Sequence, residues 1–191
     1  MIKIGITGGI GSGKTTVCKI FEVMKIPVYY ADIEAKIIIN TDIEIKNSLI
    51  SLFGKNIYLQ NGTIDKKQFS EIIFNDKQIL AKVNSIIHPV VKKYYEQWLF
   101  QNKNYKFTVK EAAILFESGA YKQVDKIITV VSPLEKRIER IMKRDNTSRE
   151  IVLKKINNQM SDEEKIKKSD FVIYNNDKTL LLPQILEIIK K

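Results

Sequence analysis

The sequence predicts an α/β protein built on a parallel sheet of five strands with helices on both faces. Three observations predict it. Short apolar runs alternate with stretches of helical periodicity along the chain. The first apolar run passes directly into a loop with four glycines in six residues, Gly8, Gly9, Gly11 and Gly13. The composition is that of an ordinary globular chain: 191 residues, 44% hydrophobic and 28% charged. That fits one domain, or one core with insertions, and excludes global disorder.

Ile2 to Ile6 reads as a short apolar strand, and residues 7–13 are too glycine-rich for a helix. From Lys14 to Met24 the pattern turns helical, with Val17, Ile20, Phe21 and Met24 at helical spacing and Cys18 beside them as core. Pro27 ends that unit, Val28-Tyr29-Tyr30 is a second strand, and Ala31 to Ile39 a second helix. Asn61-Gly62 marks a turn before helices over Asp65–Asn75 and Lys77–Phe100. Inside the latter, His88-Pro89 reads as a helix break with a partly buried histidine. Tyr94, Tyr95 and Trp98 suit either a core or a platform for a ring or an extended arm of a ligand. Phe107-Thr108-Val109 begins a buried strand, which Ala112 to Phe116 extends or follows, and Lys126 to Val131 is the next. Ser132 is the expected cap, and Pro133 the first turn, of a helix to about Arg144. A helix over about Arg149–Asn158, a strand Phe171–Tyr174 and a helix Leu180–Lys191 complete the chain.

Composition narrows the chemistry. One cysteine, Cys18, excludes an internal disulfide and a cysteine-built zinc site, and one histidine, His88, excludes a multi-histidine metal site. No apolar run reaches the roughly 20 residues of a membrane span. The start Met1-Ile2-Lys3-Ile4-Gly5 does not read as a signal peptide, so the expectation is a reduced, cytoplasmic protein with no membrane partner. Thirty-two Lys and Arg against 22 Asp and Glu give a net charge of +10, which favours anionic partners. No recognition helix or aromatic RNA-binding strand accompanies that charge, so nucleic acid is not an expected partner.

Gly8-Gly9-Ile10-Gly11-Ser12-Gly13-Lys14-Thr15 matches G-x-x-x-x-G-K-[ST] without a mismatch, between a strand and a helix. Glycines let the backbone curl so that successive N–H groups point at one anion, and the following helix adds its positive end. Lys14 supplies a point charge for the β- and γ-phosphates, and the Thr15 hydroxyl suits a phosphate-bound Mg²⁺. The chain therefore binds a nucleoside triphosphate.

Transfer to a second molecule needs a group for the acceptor hydroxyl and further positive charge. Asp32 follows the second strand at the carboxyl edge of the sheet, where a base or a helix N-cap is equally at home. All four arginines, Arg137, Arg140, Arg144 and Arg149, lie within 13 residues, while lysines are spread throughout. Arg137, Arg140 and Arg144 share one helix face, as a phosphate clamp requires. A solvated face with pairs such as Glu139 and Lys143 is the alternative.

These residues, taken in order, resemble the dephospho-CoA kinase family. The resemblance rests on Thr7 to Lys14, Ala31-Asp32, Phe53-Gly54, Asn61-Gly62 with Ile64-Asp65, and Ile87-His88-Pro89-Val90. It continues through Glu111 to Glu117, Arg140, Arg144-Asp145, Gln159 and Asp170 to Asn175. It implies ATP-dependent phosphorylation of the ribose 3′-hydroxyl of dephospho-CoA, with Mg²⁺. It also implies a P-loop NTPase three-layer α/β/α sandwich, with a core of residues 1–32, 105–136 and 169–191. A helical substrate-binding insertion would occupy about 33–104 and a small helical lid about 137–168. Asp32, Lys14, Arg140 and Arg144 are then catalytic. Gly9, Ile10, Gly11, Ser12, Gly13, Lys14, Thr15, Thr16, Arg144 and Asn175 hold nucleotide, with Asn175 towards adenine and Thr15 on the metal. Asp32, His88, Glu117 and Arg140 face the acceptor. ATP and dephospho-CoA are the expected partners of a monomer or weak homo-oligomer. Three positions, in two segments, depart from the family pattern. Tyr30 stands where the family has the first Asp of Asp-Ala-Asp, and Glu111 and Ala113 replace an Asp and a Pro.

Overall fold

A computed structural model describes residues 1–190 of the chain, the side chains of residues 74, 75 and 77 apart. Its strands are β1 (Ile2–Thr7), β2 (Val28–Tyr30), β3 (Phe107–Glu111), β4 (Lys126–Val131) and β5 (Phe171–Tyr174). They form one sheet in the order β2-β3-β1-β4-β5, every pair parallel. β1 is central: Ile4 lies opposite Val109 of β3 and Ile6 opposite Ile128 of β4. Strand alternation sorts the side chains by face. Ile4, Ile6, Ile128 and Val130 join one apolar cluster, whereas Ile127 joins Leu115 and Phe116 in another.

The helices are α1 (Lys14–Val23), α2 (Ala31–Thr41), α3 (Ile43–Phe53), α4 (Lys66–Asn75), α5 (Lys77–Gln101), α6 (Leu134–Asp145), α7 (Arg149–Asn157), α8 (Asp162–Lys167) and α9 (Leu181–Lys190). The chain divides into two compact units, Met1–Ala31 with Asn102–Lys191, and Asp32–Gln101. In the first, α1 buries Val17, Cys18 and Phe21 against the sheet, in a cluster that Ile185 of α9 shares. Phe21 is wholly buried, so truncation to Ala would cost about 3–5 kcal/mol. Burial also pushes the Cys18 thiol up, which keeps it protonated as the core residue its spacing predicts. Ile138, Ile141 and Val152 pin α6 to α7, with Ile10 packed against them.

The second unit packs α2 to α5 around Ile38, Ile45, Leu49, Ile57, Val83 and Ile87. Asp42 and Asp65 cap α3 and α4 through their side chains. Tyr95 is buried and stacks on Trp98 at 6.1 Å, and the Tyr94 hydroxyl donates to Asp42, so only Tyr95 is plainly core.

Four expectations are corrected. The His88-Pro89 step does not break a helix: α5 runs unbroken past Pro89, and His88 is exposed. Pro89 removes the hydrogen bond to the Ser85 carbonyl, but both residues are exposed, so water can take the lost partner's place. β3 ends at Glu111, and residues 113–116 are turns. Ser132 does not cap α6. Pro133 holds the N-cap position without a side-chain bond, and the Ser132 hydroxyl accepts from Arg140 instead. α3 and α8 had no sequence assignment. Of the last expected helix, residue 191 lies outside the described residues.

Candidate active site

β1 delivers the chain at the carboxyl edge of the sheet, and residues 8–13 curl back to start α1 at Lys14. Gly13 is the N-cap in the left-handed region, φ 96°, and no side chain caps the helix. The Thr16 amide donates to the Gly13 carbonyl at 3.0 Å, and with no side chain capping it the positive end of α1 faces the loop, as an anion site requires. A Cβ at Gly13 would strike the Asn175 carboxamide, and one at Gly9 the Arg137 guanidinium. Gly13 is needed because its backbone is left-handed as well, whereas at Gly9 the atom met is the end of the Arg137 side chain.

Lys14 is buried, 9% exposed, with Nζ 3.1 Å from the Gly8 carbonyl and 3.8 Å from Glu111 at the end of β3. The Ser12 hydroxyl is buried and, among the described residues, without a hydrogen-bond partner. A buried ammonium, an orphaned hydroxyl and an uncapped helix start fit the terminal phosphates of a nucleotide. Thr15 and Thr16 are exposed in the first turn, and the Thr15 hydroxyl is a hard oxygen donor of the kind Mg²⁺ takes. Tyr30, in register with Glu111, is no second carboxylate. Burial pushes its phenol up, and its hydroxyl is hydrogen-bonded to Glu22 of α1.

The arginines separate. Arg137 is buried, its Nε donating to the Ile10 carbonyl at 2.9 Å and its Nη1 to Asp162 at 2.8 Å. It braces the loop from behind, which corrects its place in a phosphate clamp. Arg140 reaches the Gly11 carbonyl at 3.3 Å, Ser132 at 3.1 Å and Asp177 at 2.9 Å. Arg144 forms a two-pronged pair with its neighbour Asp145, at 2.7 and 3.2 Å. Arg149 pairs in the same way with Glu135, both contacts at 2.7 Å.

Asn175 donates to the Ser12 carbonyl at 2.8 Å, so it also holds the loop. Glu117 accepts from the Met160 amide at 3.0 Å and meets Lys165 at 3.3 Å. Burial alone would push its carboxyl up, but amide hydrogen bonds and the Lys165 ammonium outweigh it and hold the group below the usual range. No sequence pattern marks a role for Lys165, Asp162 or Asp177, and Gln159 stands out only through the resemblance. Gln159 accepts from the Ile10 amide at 2.8 Å. A cavity of 570 Å³ opens beside these residues, bordered by Ser132, Arg137, Gln159 and Asp162. Asp32 and His88 belong to the second unit: Asp32 is exposed in the first turn of α2, two residues past β2, and His88 is exposed on α5.

The family model for dephospho-CoA kinase matches residues 2–180. A dephospho-CoA kinase of Bacteroides fragilis is 44% identical over 98% of this chain and 91% of its own length. One of Fusobacterium nucleatum is 44% identical over 91% of this chain and 89% of its own. Among solved structures, TT1252 from Thermus thermophilus superposes with a TM-score of 0.88 at 30% identity, covering 99% of this chain and 96% of that one. Dephospho-CoA kinase from Campylobacter jejuni does so with 0.71 at 30%, covering 98% and 95%. A shikimate kinase from Acinetobacter baumannii, at 0.52 and 16% identity over 100% of this chain and 93% of that one, shares the fold alone. With its glycine loop, its parallel sheet and these relatives, the chain belongs to the dephospho-CoA kinase family.

Proposed function

We propose that the chain transfers the γ-phosphoryl group of ATP to the ribose 3′-hydroxyl of dephospho-CoA, giving coenzyme A and ADP. The observation that carries the reading is the buried Lys14 ammonium beside an uncapped, left-handed glycine start to α1. The loop amides and Lys14 bind the β- and γ-phosphates, and their preorganised charge favours the spread negative charge of the transferring group. Lys14 exchanges its contacts with Gly8 and Glu111 for phosphate oxygens. The Thr15 hydroxyl would hold a Mg²⁺ ion, which would supply neutralising charge to the phosphates. In a loose transition state little proton removal precedes transfer. A carboxylate at Asp32 therefore acts first by orienting the acceptor hydroxyl and then by taking its proton. Arg140 and Arg144 supply the remaining positive charge, His88 and Glu117 meet the acceptor, and Asn175 lies on the adenine side. The cytoplasm is the compartment that suits this reaction.

The test is a coupled assay with ATP and dephospho-CoA, coenzyme A being identified by mass. Asp32→Asn is expected to lower kcat by about 10²–10⁴-fold and leave ATP affinity within about threefold. A fully active Asp32→Asn enzyme removes Asp32 from its role, and a wild-type protein that makes no coenzyme A overturns the reading.

A further inference from the structure

Ile10, at the tip of the phosphate loop, is held from two sides. Its N–H donates to Gln159 Oε1 at 2.8 Å, and its carbonyl accepts from Arg137 Nε at 2.9 Å. The residue after Gln159 makes the next link: the Met160 N–H donates to Glu117 Oε1 at 3.0 Å. Glu117 also meets the fully buried Lys165, whose ammonium donates to the Ala113 carbonyl at 3.2 Å. That carbonyl accepts in turn from the hydroxyl of Thr7, which leads into the loop, at 3.3 Å. The contacts close a ring through both ends of residues 7–10.

We propose that Gln159 is a positioning residue that couples occupancy of the phosphate loop to the placement of the Glu117 carboxylate. The proposal rests on the reading that the loop holds ATP and Glu117 meets the acceptor. The peptide unit between Gln159 and Met160 is planar and stiff. Movement of the Ile10 amide therefore reaches Met160, and through it Glu117, with one side chain intervening. The segment has little freedom to absorb that movement. Arg137 ties Asp162 to the Ile10 carbonyl, and Ser161 with Glu164 forms a capping box at the start of α8. Because coupling is reciprocal, dephospho-CoA at Glu117 stiffens the loop before ATP arrives.

The experiment is calorimetric titration of a non-hydrolysable ATP analogue, with and without dephospho-CoA, into wild type, Gln159→Met and Gln159→Glu. Dephospho-CoA should tighten the analogue about fivefold or more in wild type. Gln159→Met keeps side-chain length but loses the acceptor. It should bind each ligand alone within about threefold of wild type, lose the coupling, and so raise the KM of each substrate at saturating partner about fivefold, with kcat falling about tenfold. Gln159→Glu keeps an acceptor for the Ile10 amide, so it should retain the coupling while its charge weakens analogue binding. Intact coupling in Gln159→Met, or independent binding in wild type, overturns the proposal. Should Gln159→Met fail to fold, hydrogen exchange on wild type decides. Dephospho-CoA alone must slow exchange in a peptide covering residues 8–13, and unchanged exchange overturns the coupling. Failure of the underlying reading looks different: Lys14→Ala would then bind the analogue as well as wild type does.

Discussion

The two ends of α6 carry arginines on one helix face and use them in opposite ways. At the N-terminal end the Arg137 side chain is 7% exposed and divides its donors between a loop carbonyl and Asp162. At the C-terminal end the Arg144 side chain is 62% exposed and rests on Asp145, its neighbour in the chain. Arg140, between them, is 32% exposed and shares features of both. The grading teaches that burial and the owner of the partner oxygen decide what an arginine does. A buried guanidinium on a main-chain carbonyl is committed to holding that chain in place. An exposed one on an adjacent carboxylate is in a weak pair that a doubly charged phosphate can outcompete.

The comparison breaks most visibly at the buried end. Arg137→Ala leaves Asp162 and the Ile10 carbonyl without their partner. It should cost about 3 kcal/mol, or roughly 6–12 °C in Tm for a chain of this length, with turnover falling alongside. Thermal melts check it, and a Tm close to wild type would put Arg137 in the same class as Arg144. The exposed end predicts the reverse pattern. Arg144→Ala should lower kcat by about 10²–10³-fold, the loss seen on removing one donor to a developing charge. Its Tm should stay near wild type, since surface substitutions usually lie within about 0.5 kcal/mol. Steady-state kinetics test this: a rise in KM at unchanged kcat would mean Arg144 only binds the ground state.

The same contrast explains what the sequence discloses. The phosphate loop is legible because its task demands a backbone shape that glycine alone takes at Gly13, so the function is written in residue type. The parallel sheet is legible because strands buried on both faces become near-continuous apolar runs such as Ile127 to Val131, broken only by Thr129. The jobs of the arginines are not. Periodicity puts Arg137, Arg140 and Arg144 on one stripe, but Asp162, which decides what Arg137 does, lies 25 residues further on. Gln159 belongs to the resemblance but gives no signal of its role, because a lone glutamine in a polar stretch has no pattern until the fold sets it against Ile10. α8 spans six residues, too few for a helical period to register. The rule that proline ends helices misled at Pro89, because it takes no account of which side of the helix loses its bond.

The smallest expected effect sharpens the exposed end. Asp145 is held at about 2, below its ordinary 3.8, first by the hydrogen bond from Arg144 and then by Lys155. Because the folded-state value lies below the ordinary one, the pairing contributes fully above about pH 4 and is lost as pH falls towards 2. Denaturant unfolding of wild type and Asp145→Asn should therefore give a small, constant stability difference from pH 5 to 7. That difference should shrink as the pH is taken down through 4 and 3. A difference independent of pH would mean that Asp145 holds the end of α6 by hydrogen-bond geometry, with charge playing no part. Arg144 would then be no more available to a phosphate than Arg137, and the two ends of the helix would not be opposites.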